Sequence, residues 1–393
     1  MATADQRTTS TTTCSTSGVN VRKLFPHFEI TGALCSNRGA GRRGGFTLVE
    51  LLVVILIVGI LAGIALPVIL PTLDTRRLRE ASRTVTSYLN GARDTAMRNG
   101  RPVGVMFERF SVTDDGGTTR QQPKMSIVLR QVEVPPPYAG DTIASRALIG
   151  GGQIVGLGGV TLNMGVLTVT GPDYGVTRLV KPGDLIRFNY QGAYFQIASG
   201  TADTIDNRYL KPPTPTEPWT ISSLGVIPVH IQAATVAAPI ALPYQIIRQP
   251  VKSANPAMQL PESLVIDMEY SGVGGTGSEF SSLNGNAPVV VMFAPDGTAS
   301  HIYYNYMRAS VGSAIHLLLG KRERLDNTWA ASQTGDDMSN LQDLENFWIS
   351  IQPQSGLITS SNVGAINAAT TQPADALKQS RVFAESAQAL GGR

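Results

Sequence analysis

Beyond residue 45 this 393-residue chain has no cysteine; Cys14 and Cys35 are its only two. That absence excludes a disulfide framework, a thiolate zinc site, a CxxC redox centre and a cysteine nucleophile from the whole remainder. Histidine is as sparse. His27, His230, His301 and His316 show no HExxH or HxH spacing, so a histidine-built metal site is not expected. Charged residues make up 16%, where about 25% is usual. The net charge is +3, and residues 1–45 alone carry +4, which leaves −1 for everything after them. Such a remainder lacks the basic surface that nucleic-acid binding requires, so no nucleic-acid partner is expected. The glycine runs at 150–152 and 156–159 have no lysine where a phosphate-cradling loop needs one and do not open a helix. No local Ser/His/Asp or paired-carboxylate pattern marks an enzyme, and no cofactor is expected. With 40 glycines and 24 prolines the chain is neither collagen-like nor disordered, and it is long enough to bury a substantial core.

What the sequence does have is one long apolar run. Residues 46–66 read FTLVELLVVILIVGILAGIAL, and from residue 47 to residue 73 the only charge is Glu50. As a helix, 46–66 spans roughly 31 Å, about the hydrocarbon thickness of a bilayer. It is apolar on all sides, unlike a helix resting on a globular core. It is too long for the apolar stretch of a secretory signal peptide, and no A-x-A-like site ends it. The 45 residues before it are polar, Thr/Ser-rich at the start, and cannot build a core. Glu50 has two physical readings. Thr47-x-x-Glu50 has the spacing of a capping box. Alternatively, a carboxylate in an apolar span is costly, on the order of 2.5–3.5 kcal/mol, and by default marks function.

The segment Arg42-Arg43-Gly44-Gly45-Phe46-Thr47-Leu48-Val49-Glu50 closely resembles the cleavage and methylation motif of type IV prepilins and type II secretion pseudopilins. The resemblance implies that a prepilin peptidase cuts after Gly45 and methylates the new amine of Phe46. It also implies that Glu50 pairs with the N-terminal amine of a neighbouring subunit during assembly. Residues 76–107, 288–304 and 347–361 resemble the helix-to-first-strand region, the Pro-Asp-Gly hairpin and the closing hairpin of the H-type, FimT-like minor pseudopilin. The implied partners are other pseudopilins, an inner-membrane assembly platform and membrane lipid. The implied location is the inner membrane, crossed once, with the C-terminal domain in the periplasm. The alternatives are a minor type IV pilin or DNA-uptake pilin-like protein, and a single-span binding protein that only mimics the motif.

Around this motif the residues predict an α+β, pilin-like fold. A leader occupies 1–45, the transmembrane half of a long helix 46–70, and its amphipathic half 71–100. Pro67 and Pro71 each remove a helix hydrogen bond, so a kink or loosened turn is expected near 63–71. Gly59-x-x-x-Gly63 is a candidate helix-packing face. Leu78, Ala81, Val85, Tyr88, Leu89, Ala92 and Ala96 recur at three- and four-residue steps and predict the buried stripe, with Arg76, Arg79, Arg83, Arg93 and Arg98 on a solvated face. An antiparallel β-rich domain is expected over 103–362, in which 288–293, 299–306 and 347–352 share one sheet. The Gln191-Gly192 pair is expected to join strands 184–190 and 193–197. A large β-rich insertion is expected at about 111–255, and a tail at 363–393. Asp336, Asp337, Asp343 and Glu345 are weak calcium candidates without the spacing of an EF-hand.

Overall fold

The computed structural model describes residues 47–390, apart from 114–118, 141, 154–162, 171–178, 206–208, 215, 224–239, 331–332, 368 and 371. The side chains of 64–73, 111–122, 151–178, 222–239 and 336 are also outside the described set. The leader 1–45 therefore lies outside it. The chain divides into two units, residues 1–63 and 64–393.

Helix α1 covers Leu48–Asn99, 52 residues, and is unbroken across Pro67 and Pro71. In the first unit its apolar side chains, from Leu48 to Leu61, are exposed. Among the described residues no helix is long and apolar enough to cross a membrane.

In the second unit the rest of α1 carries the expected stripe. Leu78, Ala81, Val85, Leu89, Ala92 and Ala96 are all buried, and Tyr88 is half-buried beside them. They pack on a large sheet, whose strands appear after the Asn99-Gly100 stop; Gly100 adopts φ 61, the left-handed conformation that ends many helices. The chain order is β1 (Val103–Thr113), β2 (Thr119–Glu133), β3 (Arg146–Gln153), β4 (Asn163–Thr170), β5 (Leu185–Phe188), β6 (Phe195–Ser199), β7 (Trp219–Ser223), β8 (Ile240–Leu242) and β9 (Tyr244–Ile247). There follow β10 (Val251–Lys252), β11 (Met258–Gln259), β12 (Leu264–Val273), β13 (Val289–Phe293), β14 (Ala299–Tyr304), β15 (Met307–Ser310), β16 (Ile315–Lys321), β17 (Phe347–Ile351) and β18 (Ile358–Asn362).

The main sheet has the order β15-β14-β13-β1-β2-β12-β16-β17-β18, with β10 and β11 also paired to β2. Among the described residues its strand pairs are antiparallel, and the three strands expected to share a sheet are all in it. Side chains alternate between its faces, as the two-residue strand period requires. Val105, Phe107, Val291, Leu317 and Ile349 face the α1 stripe, while Met292, Leu318 and Trp348 face the other way.

The second sheet, β8-β3-β4-β7-β6-β5-β9, has its own core around Trp219, Phe195, Ile197, Tyr244 and Ile246. It corrects the expected insertion: β2 lies within about 111–255 yet pairs along its length with β1 and so belongs to the main sheet. The second sheet is built from the segment 134–250. Its two ends are joined where Tyr138 and Ile246 exchange backbone hydrogen bonds at 2.8 and 2.7 Å. Gln191-Gly192 lies between β5 and β6, where Gly192 takes φ 81; Asn189 and Tyr190, at φ 56 and 57, add a tight turn just before it, closed by the Gln191 N–H donating to the Phe188 carbonyl at 3.3 Å.

Within the expected tail, residues 373–389 form packed helices. Helices α2 (Pro373–Ser380) and α3 (Val382–Ala389) bury Ala376, Leu377 and Ala384 against Trp348, Leu318 and Val363. Arg381 holds them. Its guanidinium donates to the carbonyls of Gly274 (2.6 Å), Tyr270 (2.6 Å) and Gly277 (2.9 Å) and lies 4.6 Å from the centroid of the Trp348 ring. An arginine can be fully buried only when partners of this kind replace water.

Candidate functional site

The N-terminus of α1 shows why this stretch starts a helix where it does. The Thr47 hydroxyl accepts a hydrogen bond from the Glu50 backbone N–H at 3.2 Å, and the Thr47 carbonyl accepts the first helical bond from Leu51 at 3.1 Å. Thr47 is thus the N-cap, which satisfies one donor that the first turn leaves without a partner. Glu50 lies in that first turn, where a carboxylate also complements the positive end of the helix. Among the described residues its side chain is exposed and has no hydrogen bond or ion pair. The half of the capping box made by Thr47 is present, and the Glu50 carboxylate remains available to another molecule.

Among the described residues nothing lies within 4 Å of where a Cβ on Gly59 or Gly63 would stand. Pro67 and Pro71 lie within α1, with side chains outside the described set, and Gly45 and Phe46 lie outside it altogether.

The acidic residues near the last hairpin meet cations of the protein. Asp343 accepts Arg324 at 2.7 Å and Lys321 at 3.1 Å, and Lys321 also reaches Glu345 at 3.2 Å. Burial lowers the Lys321 ammonium's affinity for its proton, but hydrogen bonds and charge from Asp343 and Glu345 outweigh it and raise the pKa. Asp337 is exposed, and the Asp336 side chain is outside the described set. Among the described residues no three His, Cys, Asp or Glu side chains converge to hold a metal. His316 shares a 2.7 Å hydrogen bond with Ser350, but both are buried, and burial together with Arg381 holds the imidazole pKa down at about 3.

Sequence reasoning placed Arg93 on a solvated face, and the structure corrects this. Arg93 donates through Nε to the Gly297 carbonyl (3.0 Å) and through Nη2 to the Ser355 carbonyl (2.9 Å). It joins α1 to the Asp296-Gly297 and Ser355-Gly356 turns, which were read separately in the sequence. Gly356, at φ 61, abuts the Gly297 carbonyl so closely that no Cβ fits. Periodicity alone could not find this contact, since it depends on two turns about 200 residues or more further along the chain.

Comparison with curated proteins gives no match, and neither does comparison with solved structures. Residues 41–66, the segment that carries Gly45, Phe46, the Thr47 cap and Glu50, match the prokaryotic N-terminal methylation motif, the signal of type IV pilin-like prepilins.

Proposed function

We propose that the chain is a minor pseudopilin of a type II secretion system, anchored in the inner membrane by residues 46–70 and assembled through α1 into a periplasmic filament. The observation that carries this reading is the unpaired Glu50 carboxylate in the first turn of an exposed apolar helix, four positions after the residue that the methylation motif makes the new N-terminus. In lipid such a group requires a cation, and the α-amine of a sister helix, displaced along the axis, provides one. A desolvated ion pair depends strictly on geometry, so it sets register more than it adds stability. The inserted second sheet makes the subunit bulky, which suits the end of a filament better than its closely packed shaft. A minor type IV pilin would use the same helix chemistry, and gene neighbours (a secretin with general-secretion genes, or retraction and competence genes) separate the two.

Glu50→Gln tests the assembly role. Glutamine also serves in a capping box, so a capping role alone predicts little change. The pairing role predicts normal insertion and processing but loss of the subunit from filaments, read by crosslinking to neighbouring subunits. Crosslinking at wild-type efficiency would remove Glu50 from assembly.

A further inference from the structure

Behind the main sheet, where the second sheet joins it, lies a crevice of about 730 Å³. That is within the size range of ligand-binding clefts. Its walls come from β1, β13 and β14 on one side and from residues 181–182 and 249–252 on the other. The joint is fixed. Buried Asp184 accepts the backbone N–H groups of Lys181 and Gln249, each at 2.8 Å, and the Gln249 side chain donates to the Pro182 carbonyl at 2.6 Å. The crevice is therefore preformed.

Two features of its lining suit it to a ligand. The first is charge. Lys181 has no ion pair among the described residues, and its ammonium rests 4.7 Å from the centroid of the Tyr209 ring. Lys252 pairs with Glu108, but that carboxylate is shared with Arg130 at 3.1 Å, and among the described residues no other carboxylate lines the crevice. Arg109 is committed to backbone carbonyls of Ala287, Pro123 and Phe280. The second is Tyr306. It sits at φ 60 in the β14–β15 turn after Asn305 at φ 47, a conformation unfavourable for a bulky side chain. The best residue there is glycine, since Asn-Gly is the preferred pair for this turn. The turn is held from both sides, with no room for a Cβ between Gly183 and the Tyr306 carbonyl or between Gly285 and the Asn305 side chain. A tyrosine kept at a strained position, 57% exposed and facing a ligand-sized crevice, points to use of its side chain.

We propose that this crevice binds an extended acidic peptide segment of a partner protein, with Lys181 and Lys252 meeting its carboxylates and Tyr303, Tyr306 and the flanking prolines covering its apolar atoms. Charge complementarity selects this partner: two ammonium groups and one shared carboxylate leave the lining positive, on a chain whose remainder is near neutral. Binding here does not require filament assembly, so it succeeds or fails separately from the role of Glu50.

The test is fluorescence anisotropy on the purified full chain in detergent. The probe is a fluorescein-labelled ten-residue peptide alternating aspartate with tyrosine, compared with the same peptide carrying asparagine for each aspartate. The aspartate peptide should bind, weaken as salt rises, and exceed the asparagine peptide by about tenfold or more. Lys181→Gln with Lys252→Gln should weaken binding about tenfold. Tyr306→Gly should weaken it similarly while keeping or raising the melting temperature, because glycine relieves the turn; a purely structural tyrosine would not separate the two readouts. Tyr190→Gly, in the equivalent Asn-Tyr turn outside the crevice lining, is the control and should leave binding intact. Absence of binding, equal binding of the asparagine peptide, or full affinity in Tyr306→Gly would overturn the proposal.

Discussion

Single arginines do much of the joining in this molecule, and each does it through backbone carbonyls. Arg93, Arg109 and Arg381 each gather two or three carbonyls from other parts of the chain. Hydrogen bonds to charged groups contribute about 1.5–3 kcal/mol each, and a half-buried carbonyl left without a donor costs a similar amount. Arg93→Met, which keeps the stem and removes the donors, should lower the melting temperature by several degrees in a thermal scan; an unchanged value would show that the two turns hold without it. Asp267 makes a pH prediction. It is fully buried, and burial pushes its carboxyl up to about 7, against the opposing hydrogen bonds from the Asn340 side chain (3.0 Å) and the Glu269 N–H (3.0 Å). Between its ordinary pKa of 3.8 and about 7 the folded chain therefore holds more protons than the unfolded one, and this group's contribution to stability falls as pH rises. His316 and His301, held down at about 3 and about 4, act in the opposite direction below their ordinary 6.5. Asp267→Asn should remove the descending component, so stability rises more steeply with pH between about 4 and 7 than in the wild type. Parallel curves for the two proteins would contradict this.

The elements differ in how far they could be read from sequence, for identifiable reasons. Helix α1 was legible because its apolar stripe repeats at helical spacing and Asn99-Gly100 ends it. The strands of the main sheet were legible because β-branched and aromatic runs such as 289–293 and 347–351 lie between turn residues. Strand β3 was missed, since Gly150-Gly151-Gly152 gives no apolar alternation and reads as a loop. A short helix at 375–390 was legible only as a weaker alternative to a tail, because Ala, Gln and Ser carry little burial signal and the attachment depends on Arg381, a residue type that is ordinarily at the surface. The methylation motif is contiguous and needed no fold to be recognised. The crevice joins residues 106 to 306 and exists only once both sheets are formed. If α2 and α3 are part of the core, a chain ending at residue 372 should melt lower, and its tryptophan emission should shift to the red as Trp348 meets water. Emission identical to that of the full chain would mean that the helices cover nothing.

At the scale of the whole molecule the inserted sheet reads as an addition to an existing hairpin. Glu133 at the end of β2 and Val251 at the start of β10 are directly opposed in an antiparallel pair. A two-residue turn would close that gap. Replacing 134–250 by Asn-Gly should therefore leave the main sheet and α1 folded, seen as a cooperative thermal transition, while peptide binding at the crevice is lost. Failure of the shortened chain to fold would show that the second sheet is integral to the first. The central claim concerns the other end of the chain: the methylation motif at 41–66 is functional and creates the N-terminus from which Glu50 is counted. Mass spectrometry of the mature N-terminus of the chain from its native cell tests it most directly. The account predicts a chain that begins with N-methylated Phe46, and Gly45→Val that remains uncut. A chain that retains Met1, or one cut beyond residue 60, would contradict it.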